Sequence, residues 1–256
     1  MKKLLTLVIT LMMVLTACFG LTACGDEETS AITDGKLTIG YTIYPPMNYF
    51  DDNDFVGFDT ELAEKFCETI GVEAEFVEIN WDNKFIDLKS KAIDCIWNGM
   101  TITDAVKEKT AVSAPYLENK QVVVCKADNA SKFTDVASIV TASKIAFEKG
   151  SAGDLVVTAA GVADSKRVEA QAQRDALLEV YTGASEIAIV DLTLAKVMTG
   201  TGTYESLTFV DVGFELEEFG VSFRKSDAGL AKAFDLFIKI CKADGTYDAL
   251  SSKYFK

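Results

Sequence analysis

From residue 36 to the C-terminus, short apolar runs alternate with amphipathic helical stretches, and this alternation constrains the fold more than any other feature. Residues 37–41 and 75–79 read as strands, separated by a helix over 60–70 that Gly71 ends. A helix over 84–91 then leads to a strand over 93–97. A second series begins near residue 121, with strands over 121–124, 144–147, 187–190 and 207–210. Within it, the turn Gly150-Ser151-Ala152-Gly153 opens a helix near Asp154, and the strand over 187–190 delivers Asp191 ahead of a helix through Met198. A strand over 220–223 and helices over 230–242 and 247–254 complete the chain. Repeated βα units imply an α/β fold whose mainly parallel sheets are covered on both faces. Ligands of such sheets gather at the carboxyl ends of the strands, and the loop over 98–103 leaves one of those ends. The expectation is two α/β lobes in series with a C-terminal return, and no repeat of 20–50 residues is visible.

The N-terminus carries a different pattern. Lys2 and Lys3 precede an almost unbroken apolar run over 4–17, and two lipobox-like tetrads follow, Leu15-Thr16-Ala17-Cys18 and Leu21-Thr22-Ala23-Cys24. That is the layout of an export signal whose cleavage leaves an N-terminal cysteine for acylation of the palmitate type. Cys24 is preferred, because 25–30 then forms a polar tether; Cys18, which follows a shorter apolar run, is the alternative. Residues 1–23 are thus expected to be a lipoprotein signal peptide and 24–34 a lipid-anchored tether, with the working part on the extracytoplasmic face of the cell membrane. An uncleaved membrane anchor is the competing reading, since ~20 apolar residues span a bilayer.

About 230 residues remain after the signal, enough for one large domain or two ordinary lobes. Loss of Lys2 and Lys3 takes the net charge from −14 to −16, which argues against nucleic acid as a partner. The chain has no histidine, which removes Ser-His-Asp and Cys-His nucleophile pairs and any His-ligated metal site. No catalytic residue, metal or cofactor is expected, and there is no GxxxxGK[ST] loop for a nucleotide. Cys67, Cys95, Cys125 and Cys241 lie singly within apolar patterns without CxxC spacing, so buried thiols and disulfides both stay open.

Several motifs recur in a telling order: Tyr44-Pro45-Pro46-Met47, Val56-Gly57-Phe58-Asp59, Trp81-Asp82, Asn98-Gly99-Met100-Thr101-Ile102-Thr103, Ser113-Ala114-Pro115-Tyr116, Gly150-Ser151-Ala152-Gly153, Val190-Asp191 and Ala243-Asp244-Gly245-Thr246-Tyr247. Together they resemble the bacterial extracellular solute-binding proteins of family 3, the amino-acid receptors of ABC importers, from Gly35 to Phe255. The resemblance implies a two-lobed periplasmic-binding-protein-like fold of type II, with a ligand cleft between lobes joined by two hinge crossings. Lobe 1 would comprise 35–116 and 220–256, lobe 2 would comprise 121–214, and the crossings would fall at 117–120 and 215–219. It further implies a small-molecule ligand, an amino acid or a related amine, and a permease and ATPase on separate chains. The receptor itself would be a monomer held to the membrane by its lipid. Two less favoured readings are a ligand-sensing module for a separate signalling partner and an exported dehydratase of cyclohexadienyl acids on the same fold.

By the same resemblance, Tyr44 and Trp81 would sandwich the ligand, Gly99 and Thr101 would meet its α-carbon groups, and Asn98 and Met100 would line the site beside them. Asp191, at a strand end, would hold the ammonium, or cap the helix that follows. Ser151, Ala152 and Gly153 sit at a helix start, where backbone N–H groups and the helix dipole favour a carboxylate. Asp59 or Thr60 reads as a helix cap. The family pattern runs Gly-Met-Thr-Ile-Thr-x-x-Arg, with the arginine on the ligand's carboxylate, whereas this chain has Val106 there. Lys107 is one candidate replacement. Either the ligand is less anionic than a simple amino acid, or backbone donors alone hold its carboxylate.

Overall fold

The computed structural model describes Ile32 and residues 35–255; the signal segment and the candidate lipid-bearing Cys18 and Cys24 lie outside these. The chain opens with β1 (Lys36–Tyr41), β2 (Tyr49–Asp51), β3 (Asp54–Val56), α1 (Phe58–Ile70), β4 (Glu73–Glu78), α2 (Lys84–Ser90), β5 (Cys95–Thr101), α3 (Asp104–Lys109) and β6 (Ala111–Val112). It continues with β7 (Leu117–Lys126), β8 (Ile145–Glu148), α4 (Ala152–Ala159), β9 (Arg167–Ala170), α5 (Gln173–Thr182), β10 (Ile187–Asp191), α6 (Leu192–Met198) and β11 (Leu207–Val210). It ends with β12 (Leu216–Phe223), α7 (Ala228–Asp244) and α8 (Thr246–Tyr254).

β1 lies between β4 and β5 and is parallel to both, which makes the first lobe's sheet. β8 lies between β10 and β9, again parallel, which makes the second. β7 and β12 serve both lobes. Their first halves pair with each other antiparallel, Leu216 opposite Lys120 and Phe219 opposite Leu117. The rest of β12 then runs along β5 and β6, and the rest of β7 along β10 and β11, all antiparallel. The sheet is therefore mixed rather than mainly parallel, because a strand arriving from the other lobe enters against the local direction. It also explains why β7 and β12 begin four residues before the expected strands at 121 and 220. Two extended segments side by side satisfy each other's backbone groups, so neither ends at the crossing.

Alternation along β7 builds two separate cores: Val122 and Val124 join one apolar cluster, Val123 and Cys125 the other. In the first lobe Trp97 is fully buried, edge-on to Phe66 and Phe234. Cys67, Cys95, Cys125 and Cys241 are all buried free thiols. Among the described residues no helix is long and apolar enough to cross a membrane.

Candidate functional site

A cavity of about 140 Å³ lies between the lobes, at the carboxyl ends of β5, β8 and β10. The first lobe contributes Trp81, Lys84 and Phe85, the segment Asn98 to Thr101, and Val106. The second contributes Gln121, Glu148, Gly150 to Gly153, Gln173 and Asp191. Nine of the ten sequence-nominated residues stand in this wall. The exception is Tyr44, which is buried behind Gly99 with its hydroxyl against that of Thr193.

The segment Asn98 to Thr101 is strand rather than the expected loop, since Met100 and Thr101 pair with Gly220 and Phe219 of β12. Gly99 has a φ of +56°, and an added Cβ there would come 2.7 Å from the Tyr44 ring. A side chain at that position is thus excluded on two counts, leaving the backbone bare toward the ligand. Asp59 anchors this stretch. The expected helix cap is replaced by Gly57, which has no side-chain cap bond, and Asp59 reaches instead to the strand. Gly99 N–H and the Tyr116 hydroxyl donate to its carboxylate at 2.7 and 2.9 Å. Burial nonetheless raises that carboxyl to about 7.

Opposite, Ser151 caps α4 by accepting Asp154 N–H at 3.3 Å. The N–H groups of Ala152 and Gly153 belong to the first turn, which has no intrahelical acceptors. An added Cβ on Gly153 would meet the Ile189 carbonyl oxygen at 2.9 Å, so glycine is what lets the helix start sit against β10.

Asp191 is the N-cap residue of α6 but makes no side-chain cap bond. Its Oδ1 accepts from Asn119 Nδ2 and Gln121 Nε2, each at 2.6 Å, and its Oδ2 from Gln173 Nε2. Gln173 in turn accepts the Asp191 backbone N–H at 2.8 Å. Burial raises the Asp191 carboxyl, and these amides together with Tyr44 pull it back. Glu217, on the crossing strand β12, shares Asn119 and Gln121 and also accepts from Thr101 at 3.2 Å; burial and Asp191 push it up to about 7.

Lys84, only 6% exposed, is the cation that the sequence reading missed. Its Nζ lies 4.8 Å from the Trp81 ring centre and donates to the Trp81 carbonyl at 3.0 Å and, across the lobes, to the Gly150 carbonyl at 2.8 Å. Burial brings it down to about 8. Asn80 to Gln171 at 2.8 Å and the Lys149–Asp82 pair at 3.6 Å also bridge the lobes, so this is a closed form. Lys107 does not face the cavity; it is largely exposed beside Asp104. Glu148 is also buried in the wall. Gln121 and Gln173 also went unnoticed, since nothing local distinguishes a glutamine that will hold an acid from one on a surface. Among the described residues no group of acids or cysteines is arranged to hold a metal.

Two α/β lobes closed over a cavity with apolar walls and a few polar groups, with two paired crossing strands, define a two-lobed small-molecule binding protein. The sequence profile of the bacterial extracellular solute-binding proteins, family 3, matches residues 37–256, and the chain belongs to that family. It is 31% identical over 226 residues to the L-cystine-binding protein TcyJ of Escherichia coli K12, covering 86% of this chain and 83% of that one. Among solved structures, a mutant of ArgBP from T. maritima superposes with a TM-score of 0.80 at 30% identity, covering 86% of this chain and 95% of that one. The ancestral amino acid-binding protein AncCDT-1, a precursor of cyclohexadienyl dehydratase, gives 0.79 at 30% identity, covering 87% and 96%. The family places the protein outside the cytoplasm.

Proposed function

We propose that this chain is the substrate receptor of an ABC importer, closing its lobes over a small amino acid or related amine and presenting the closed form to a separate permease and ATPase. The observation that carries this is the cavity of about 140 Å³ between the lobes, walled from both by two buried acids and a helix start. A space of ~150 Å³ takes a ligand of about benzene's size, which suits a small amino acid better than a peptide. Glu148 and Asp191 face the ligand's nitrogen, while Ala152, Gly153 and the Gly99–Thr101 backbone face its carboxylate if it has one. With no arginine at 106, backbone groups do the work of the family's guanidinium. The lobes divide near 117–120 and 215–219, where β7 and β12 pair and where hinge motion would act. A lipid on Cys24 would hold the receptor at the membrane surface. No chemical step is assigned, in keeping with relatives that are named as binding proteins.

The test is a thermal-shift screen of residues 26–256, unfolded and refolded to remove ligand, against amino acids, amines and nucleobases. A ligand at a thousandfold excess over its Kd stabilises by about 4 kcal/mol. A clear rise with amino acids or amines is expected; no rise with any of them would overturn the reading.

A further inference from the structure

We propose that Glu148 is the open acid that takes a cationic nitrogen of the ligand, so that the ligand must bring an ammonium, amidinium or guanidinium group into this end of the cavity. The assignment rests on the receptor reading above and concerns the same cavity.

The two acids differ in what they already hold. A carboxylate offers about four acceptor positions. On Asp191, three are taken by the side-chain amides of Asn119, Gln121 and Gln173. Those amides are themselves fixed: Gln173 grips the Asp191 backbone, and Asn119 Oδ1 accepts the Thr193 N–H at 3.4 Å. Asp191 therefore works as the hub of a built network on the crossing strands. Glu148 has none of this. It ends β8, is 3% exposed and lines the cavity, and its Oε1 has no hydrogen-bond partner. A buried acceptor left unmade forfeits its hydration without return, and so calls for a donor from outside the chain.

Lys84 does not fill that role, because two of its three Nζ hydrogens go to the Trp81 and Gly150 carbonyls and it makes no ion pair with Glu148. The other charged groups that act on Glu148 are Asp191 from β10 and Asp175 from α5. Lys84 in turn feels Asp82, Asp154 and Lys109. Burial and Asp191 favour the protonated form of the empty Glu148, raising its carboxyl well above the usual range. Entry of a cation at hydrogen-bond distance reverses that balance and ionises it. Binding should then release one proton per ligand from the Glu148 carboxyl to solvent.

Calorimetric titrations at pH 7 in two buffers of different ionisation enthalpy read this directly, using the common L-amino acids, putrescine and ethylenediamine as probes. For any probe that binds the parent, Glu148→Gln should weaken binding by about 10- to 100-fold, the loss of one charge-assisted hydrogen bond, and abolish proton release. Asp191→Asn should weaken binding while proton release persists. Glu148→Gln and Glu148→Met replace a buried acid that lacks a partner, so both should melt no lower than the parent, which separates loss of contact from loss of fold. Binding of Glu148→Gln within threefold of the parent, or proton release that vanishes in Asp191→Asn instead, would overturn the assignment while leaving the receptor reading intact. If no probe binds the parent, both fall.

Discussion

Asp59→Asn asks whether the ligand-facing strand is held by a protonated acid. Asp59 is fully buried and receives Gly99 N–H and the Tyr116 hydroxyl, yet burial outweighs them and sets its carboxyl at about 7. In the unfolded chain an aspartate titrates near ~4. As pH rises the unfolded chain loses this proton first, so stability is full below pH ~4, falls until the folded group ionises near 7, and is level above that. Each tenfold difference in proton affinity is worth ~1.4 kcal/mol, so Asp59 alone should cost about 2 kcal/mol of stability between pH 5 and pH 7. Glu217, also raised to about 7, acts in the same direction. Glu61, Glu186 and Asp211 are held low and exert their effect below pH ~5, while Lys84, lowered to about 8, acts above pH ~7, so the window isolates the raised acids. Urea unfolding at pH 5, 6 and 7, followed by the fluorescence of buried Trp97, gives the slope. The parent should lose at least ~2 kcal/mol across the window, and Asp59→Asn, which keeps an acceptor for Gly99, should lose ~2 kcal/mol less. A parent that is flat or gains stability from pH 5 to 7, or a variant whose slope matches the parent's, would show that the donors keep Asp59 ionised and would refute the reasoning.

The other perturbations address closure and the ligand. Lys84→Met removes a buried charged hydrogen bond that exists only when the lobes meet; at ~1.5–3 kcal/mol it should weaken the binding of neutral amino acids by about 10- to 150-fold in calorimetry. Lys149→Ala breaks a half-exposed inter-lobe pair and should change the same Kd by less than about fivefold. Gly153→Ala puts a Cβ 2.9 Å from the Ile189 carbonyl, which should destabilise the protein by about 1–3 kcal/mol in chemical denaturation and weaken carboxylate-bearing ligands as α4 shifts. Val106→Arg places a guanidinium in the cavity wall and should strengthen ligands with a carboxylate by about 10-fold or more in thermal-shift titration, while amines without one weaken.

How far the sequence reaches into this fold depends on the range of the interactions. β1, α1, α2, β10 and β11 fall within two residues of the expected bounds, because apolar period and glycine stops are local properties. β9 and α5 went unseen: Arg167-Val168-Glu169-Ala170 is an edge strand with two charges, kept extended by its ladder to β8 rather than by its own composition. The strand starts at Leu117 and Leu216 were missed for a like reason, since each is extended only because the other strand lies beside it, Phe219 opposite Leu117 and Lys120 opposite Leu216. Motif order brought the cavity wall within reach, but it left out the residues that set the wall's electrostatics.

Val106 shows most clearly why the missing part matters. Its buried apolar side chain faces the cavity at the position where the family pattern puts a cation, and that absence is legible in one letter. What takes over the charge is not. Lys84 enters from the same lobe 22 positions earlier in the chain, but two backbone carbonyls hold two of its hydrogens and fix it as a strut between lobes. The cavity therefore keeps one committed cation and two buried acids, of which Asp191 already accepts three side-chain hydrogen bonds and Glu148 is open. A pocket so arranged gains more from a ligand's positive end than from its negative one. On that ground a charge-neutral zwitterion should outbind its own decarboxylated amine only by what the Ala152–Gly153 and Gly99 backbone supplies. Comparing L-alanine with ethylamine in one titration series measures that difference; a ratio above about 10³ would mean that a strong carboxylate clamp exists despite Val106.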